Sequence, residues 1–436
     1  MKFETVALLS ALQISLVQAH KAARHAHFKR QDTATTAPPP LDTSTDIPPL
    51  ASISLGMPTK VPPTFTATFA GGATGPISGA PPLPTLGPIA LSAWPTQDRI
   101  PPVDSPQVRE WMKELEGFHI PDLRPTLDST CGGDPEAAAD AANRGWWTCG
   151  GHTRSTDIVA CPNKLDWGLS FDDGPSPYTP NLLEKLKEKD VQATFFVVGS
   201  RVIERPNMLI QEYMDGHEIS IHTWSHNALT TLTNEQIVAE LGWTRLAIQT
   251  VLGVTPITMR PPKGDIDDRV RAISLAMGLI PILWTSTPDG GKFDSFDWRV
   301  AGGEIEGPES VAAFETIMAN GTNFPTGFIT LQHDLFEITV NLAVGYTLDM
   351  AINHEPKFDL QPVGECMGLG DGGVYRETTK NTTFPYRNNT GLDVNGDGTP
   401  DVLVNTGTGT GAGFTITVPF WSSLTVVALA TVSLFL

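Results

Sequence analysis

Between residues 165 and about 353 the chain alternates between two kinds of segment, and this alternation limits the fold more than any other feature. Short apolar, β-branched or aromatic runs recur: LDWGLSF, VQATFFVVG, HEISIH, ITMR, LIPILWT and FITLQH. Stretches with helical spacing separate them, such as NLLEKLKEK and EQIVAELGWTRLAIQTVLG. In the second, Ile237, Leu241, Ile248 and Leu252 recur near a period of about 3.6 residues. The pattern predicts parallel strands joined by crossover helices, either as a barrel or as an open sheet. Polar residues gather at the C-terminal ends of the runs, where a (β/α) barrel builds its active site.

The first run ends in two adjacent acids, Asp172 and Asp173, followed at once by Gly174 and Pro175. Neighbouring carboxylates at the mouth of a buried strand repel and resist desolvation, so a cation between them is the simplest remedy. His222 and His226, in HTWSH after the run HEISI, lie four residues apart and can converge on one ion. Alone, such a pair is more often two surface histidines. With Asp173 it makes two imidazoles and a carboxylate, a catalytic zinc-type set with one position open. Asp172 is then free to accept a proton from water as it attacks a carbonyl. Arg260, closing ITMR before Pro261-Pro262, can pair with Asp172 and aim it. His333, in LQHD, is placed to act as general acid toward a leaving group.

These segments resemble the polysaccharide deacetylases of carbohydrate esterase family four, which share the NodB homology domain. Five motifs stand in order: SFDDGP (170–175), HTWSH (222–226), RPPKG (260–264), DSFDW (294–298) and LQHD (331–334). The resemblance implies a distorted (β/α) barrel and metal-dependent removal of acetyl groups from N-acetylated sugars, with Zn2+ as the expected ion and Co2+ as the alternative. It implies Asp172 as base, Asp173, His222 and His226 as metal ligands, Arg260 as the residue orienting the base, and His333 as acid tuned by Asp297. It also implies that Trp298 and Leu331 line the pocket for the acetyl methyl. Ser170 stands where the family more often has Thr, and Lys263 where it usually has Tyr. At Lys263 the backbone N–H is the expected oxyanion donor, so the chemistry should survive while the side chain alters which sugars are accepted.

The flanks have another character. Residues 5–19, TVALLSALQISLVQA, follow Lys2 and precede a small-residue cleavage site, as in a secretory signal peptide (1–19). Residues 32–95 hold 14 prolines and four charges, which predicts a disordered, S/T/P-rich stalk over 20–95. Residues 96–160, with WMKELEGF and NRGWWTCGG, read as a packed lead-in, residues 161–366 as the catalytic domain and 367–405 as a glycosylated segment. No charge follows Asp401, and VPFWSSLTVVALATVSLFL completes the pattern of a removed anchor signal over 406–436, with Asn405 as the glycolipid attachment candidate. LDVNGDGTPDV (392–402) is read as a polar turn rather than a calcium loop, because Val404 stands where an EF-hand has Glu. Four cysteines in a secreted chain suggest two disulfides, and the spacing favours Cys131–Cys149 and Cys161–Cys366. Sequons at Asn320, Asn381 and Asn388 agree with secretion.

The formal net charge of −19 argues against nucleic acid, whose phosphates need a basic face. The expected partner is chitin or its N-acetylglucosamine oligomers. Membrane association is expected through the anchor only, at the outer face of the plasma membrane or in the wall, and no protein partner is implied. The rival readings are an O-acetyl esterase on xylan, a peptidoglycan deacetylase, and a non-catalytic wall-binding or adhesion protein. Intact catalytic and metal positions argue against the last.

Overall fold

The computed structural model describes residues 47–380, apart from 61, 63–64, 66–67, 288–290 and 371. The expected signal peptide, Asn381, Asn388, the 392–402 turn, Asn405 and the anchor signal lie outside the described residues. Among the described residues no helix is long and apolar enough to cross a membrane.

All paired strands run parallel. Strand β1 (Asp166–Gly168) continues across Leu169 into β2 (Ser170–Asp172); then come β3 (Thr194–Val197), β4 (Glu218–Ile221), β5 (Thr258–Met259) and β6 (Ile280–Pro281), with β7 (Phe328–Ile329) and β8 (Asp359–Gln361) later. One sheet has the order β2-β3-β4-β5-β6 and the other β7-β1-β8. Outside β8, whose three residues are exposed or half-buried, their residues are almost all buried, as strands covered on both faces must be, which is why the runs read as continuously apolar. The two sheets join into one ring. The Thr285 N–H, just beyond β6, donates to the Ile329 carbonyl at 3.0 Å, while β7 pairs with β1 and Asp172 bridges to His333. Because closure relies on such isolated links and on strands of two residues, the barrel is distorted. Periodicity alone leaves barrel or open sheet undecided; the structure closes it.

The helix Asn234–Leu252 starts with a capping box of Thr233 and Gln236 and stops at left-handed Gly253. Ile237, Leu241, Ile248 and Leu252 are all fully buried, the face expected from their spacing. Two disulfides are present, Cys131–Cys149 and Cys161–Cys366. The lead-in is packed, with Trp146 and Trp147 buried and Trp147 meeting Trp284 edge-on at 4.6 Å.

Two expected boundaries need correction. Within the supposed stalk, Ile53 (0 % exposed) joins Val300, Val311, Ile338 and Leu342, and Leu83 (3 % exposed) enters the main core. Phe69, Ile77, Leu86 and Ile89 pack against that core as well. A Pro-rich strip has fewer N–H donors to satisfy, so it can lie extended on the domain and set single apolar side chains into grooves. Average composition hides such anchors. The C-terminal boundary also moves beyond 366: Val374 and Tyr375 are buried, and the Tyr375 hydroxyl accepts the Ile219 N–H at 2.8 Å.

Candidate active site

The site forms where β2, β4, β5 and the segment after β7 end. Asp172 is the last residue of β2. Asp173 turns away with a left-handed backbone, φ 82°. A side chain at Gly174 would collide with the Asp334 carboxylate, so the turn after the paired acids requires glycine.

Asp173, His222 and His226 each direct one ligand atom to a common point, all within 4.8 Å of one another. The Asp173 Oδ1 lies 3.3 Å from His222 Nε2 and 3.1 Å from His226 Nε2. That oxygen is buried without a hydrogen-bond partner, a condition a cation would relieve. His222 Nδ1 is 2.8 Å from the Arg260 carbonyl. A carbonyl can only accept, so Nδ1 carries a proton and Nε2 is the atom turned toward Asp173, the nitrogen a metal would take once the ring is neutral. Burial pushes the Asp173 carboxyl up, but the His226 and His222 imidazoles hold it well below the ordinary carboxylate value. Burial also lowers His226, against the pull of Asp173, and so favours the neutral ring. This donor set fits a divalent ion.

Asp172 is gripped by Arg260, whose Nη1 lies 2.7 Å from Asp172 Oδ1 and 2.9 Å from Ser170 Oγ. The guanidinium carbon sits 4.0 Å over the Phe196 ring, and the Arg260 side chain is fully buried. Ser170 passes its own proton to the Thr330 carbonyl at 2.7 Å. A hydroxyl is what this position supplies, which explains why serine serves where threonine is commoner.

His333 is held twice by Asp297: Nδ1 at 2.7 Å from Oδ1, and its N–H at 2.8 Å from Oδ2. Burial lowers the His333 imidazole, but Asp297, then Asp173 and Asp172, push it up to about 10. It is therefore a held proton donor at neutral pH.

Trp298 is 41 % exposed and Leu331 is buried. They meet through Asp294, which accepts the Trp298 indole N–H at 3.3 Å and pairs along the backbone with Leu331. Burial raises Asp294 to about 6. Lys263 follows Arg260 in a left-handed turn, φ 60°, with an exposed side chain. Asn320 is exposed on the helix Gly307–Asn323.

Several supporting residues escape a reading of spacing. Glu240 accepts the N–H groups of Trp224 (2.8 Å) and Ser225 (2.9 Å), and burial pushes it up to about 7. Arg201 Nη1 donates to the Asp173 carbonyl at 2.6 Å. Asp334, raised to about 7 by burial, accepts from the Thr179 hydroxyl and the Gly174 N–H. Asp294 belongs with them. Its only signal in the sequence is its place as the first acid of DSFDW.

The polysaccharide deacetylase profile matches residues 160–282. Chitin deacetylase 1 of Cryptococcus neoformans var. grubii is 47 % identical over 383 residues, covering 87 % of this chain and 80 % of that protein. Chitin deacetylase 2 of the same organism is 36 % identical over 210 residues, 45 % of this chain and 44 % of that protein. The solved chitin deacetylase of Colletotrichum lindemuthianum is 26 % identical, covers 51 % of this chain and 96 % of its own, and has a TM-score of 0.46. The chain belongs to the polysaccharide deacetylase family, whose members use a divalent metal.

Proposed function

We infer that this protein is a chitin deacetylase: it hydrolyses the N-acetyl groups of chitin to give chitosan and acetate. The observation that carries the reading is the convergence of Asp173, His222 and His226 beside an Asp172 clamped by buried Arg260. The 47 % identity to a chitin deacetylase over most of both chains supports the substrate.

Asp173, His222 and His226 would hold a divalent ion, with Zn2+ best suited to two imidazoles and one carboxylate. Such an ion would polarise the acetyl carbonyl and make water more acidic. Asp172 takes a proton from the water that attacks the carbonyl carbon, and Arg260 keeps it aimed. His333, held by Asp297, gives its proton to the amide nitrogen as the C–N bond breaks, leaving a free amine and acetate. Trp298 and Leu331 would enclose the acetyl methyl, and the Lys263 N–H would donate to the developing oxyanion.

The two disulfides fit an oxidising, secretory route. Glycolipid attachment near Asn405 is part of the same proposal, resting on the apolar segment 418–436. Acetate release from defined chitin oligomers, with and without chelator, tests the activity. Release from acetylxylan instead would make it an O-acetyl esterase, and release from neither would sink the enzyme reading. Soluble active protein after treatment of cells with a phosphatidylinositol-specific phospholipase tests the anchor.

A further inference from the structure

Trp224 lies between the two histidines of HTWSH, yet its ring turns away from them into the domain and is 1 % exposed. There it stacks on Trp94 at 6.1 Å with an interplanar angle of 8°, and its indole N–H donates to the Thr96 carbonyl at 3.2 Å. Trp243 closes the cluster, 5.8 Å from Trp94 and 6.3 Å from Trp224. Two residues further on, the Asp98 carboxylate lies 3.5 Å from Arg201 Nη2, whose other amino group donates to the Asp173 carbonyl at 2.6 Å. One short stretch, 94–98, therefore reaches both turns that present ligand atoms. It lies outside the span matched by the family profile.

The turns need support. Asp173, Thr223 and His226 all have left-handed backbones, with φ of 82°, 64° and 59°. Non-glycine residues keep that conformation only where surrounding structure over-determines it. Glu240 holds the Trp224–Ser225 amides from one side. The indole of Trp224, wedged between Trp94 and Trp243, holds the loop from the other.

We propose that Trp94–Asp98 is a brace for the metal site, setting the positions of His222 and His226 through Trp224 and of Asp173 through Arg201. Trp94 is then a positioning residue. The inference rests on the reading of Asp173, His222 and His226 as metal ligands, and predicts that losing the brace loosens the ion before it unfolds the domain.

The test is titration of the full-length, metal-stripped protein with Co2+, followed by visible absorption, alongside melting curves. Trp94→Ala should raise the Co2+ dissociation constant about 10–100-fold, the usual loss when a residue supporting the ligands is removed. Trp94→Phe should recover most of that loss, and kcat at limiting metal should fall without a matching rise in KM. Leu83→Ala is the control. Leu83 is a buried anchor of the same arm whose backbone bonds with Gly72 and Ala73, so its loss should lower Tm and leave Co2+ affinity unchanged. Unchanged affinity in Trp94→Ala overturns the brace, as does an equal loss in Leu83→Ala. Should Trp94→Ala fail to fold, Trp94→Leu keeps apolar volume without the stack and is judged by the same outcomes. Wild-type Co2+ binding by Asp173→Ala would sink the ligand assignment instead.

Discussion

Arg260 and His222 are joined by the Arg260 carbonyl, 2.8 Å from His222 Nδ1, while the Arg260 guanidinium holds Asp172 at 2.7 Å. One residue thus fixes the tautomer of a proposed ligand with its backbone and the aim of the proposed base with its side chain. The two duties are separable by mutation, because only the second depends on the guanidinium.

Arg260→Lys should therefore lower kcat about 10–100-fold, a typical cost for a residue that orients a catalytic group, while the metal content stays near that of the wild type. A lysine ammonium is a compact charge and cannot lie flat on Phe196 as the guanidinium plane does, so its approach to Ser170 and Asp172 is less fixed. Metal analysis beside acetate release measures both. Parallel loss of ion and activity would show that the carbonyl is displaced with the side chain.

The paired acids should also part company. Asp172→Asn is expected to abolish turnover with the ion retained, because Asp173 and not Asp172 belongs to the converging set. Asp173→Ala should lose ion and activity together. Equal metal loss in both variants would refute the division of labour.

His333→Ala should lower kcat about 10²–10⁴-fold with a smaller effect on KM, as for a lost general acid. Asp297→Asn tests the same proton differently. The Asp297 carboxylate helps to hold His333 up to about 10. Removing its charge lowers that value, so the alkaline limb of the kcat profile should move to lower pH. A limb that stays in place would mean that another group loses the limiting proton.

At the opposite end of β4, Glu218 is pushed by burial from an ordinary 4.5 up to about 7. A carboxyl raised in the folded state supports folding fully below its unfolded value and loses that contribution as pH rises through the folded one. Comparing Glu218→Gln with the wild type isolates this group. The Tm of the variant should gain on the wild type as pH rises from about 4.5 to about 7, with a constant difference on either side. A difference independent of pH across that window would show that Glu218 is ionised throughout.

The sequence makes plain what local spacing encodes. Asp172, Asp173, His222 and His226 stand out because chemistry demands those residue types at the ends of apolar runs. The helix Asn234–Leu252 is visible through its buried face and its end signals. The closure of the barrel is not visible, since it rests on single hydrogen bonds such as that between Thr285 and Ile329. Glu240 and Arg201 are missed for a related reason: each acts on residues distant in the chain, and nothing nearby marks it. Trp94 is lost in a Pro-rich background whose average suggests disorder, although a few well-spaced apolar side chains suffice to fasten the strip down.

The Cys161–Cys366 bridge has a consequence for what proteolysis can do to the molecule. It ties the residue that enters the barrel to the helix that follows its last strand, enclosing a span of 205 residues that carries every proposed catalytic group. A protease that cuts one exposed loop within that span creates a new pair of ends without setting either fragment free. The halves stay tethered and packed, so a nicked molecule can go on working. Two bands should then appear only after reduction, while the unreduced sample still migrates as a single chain.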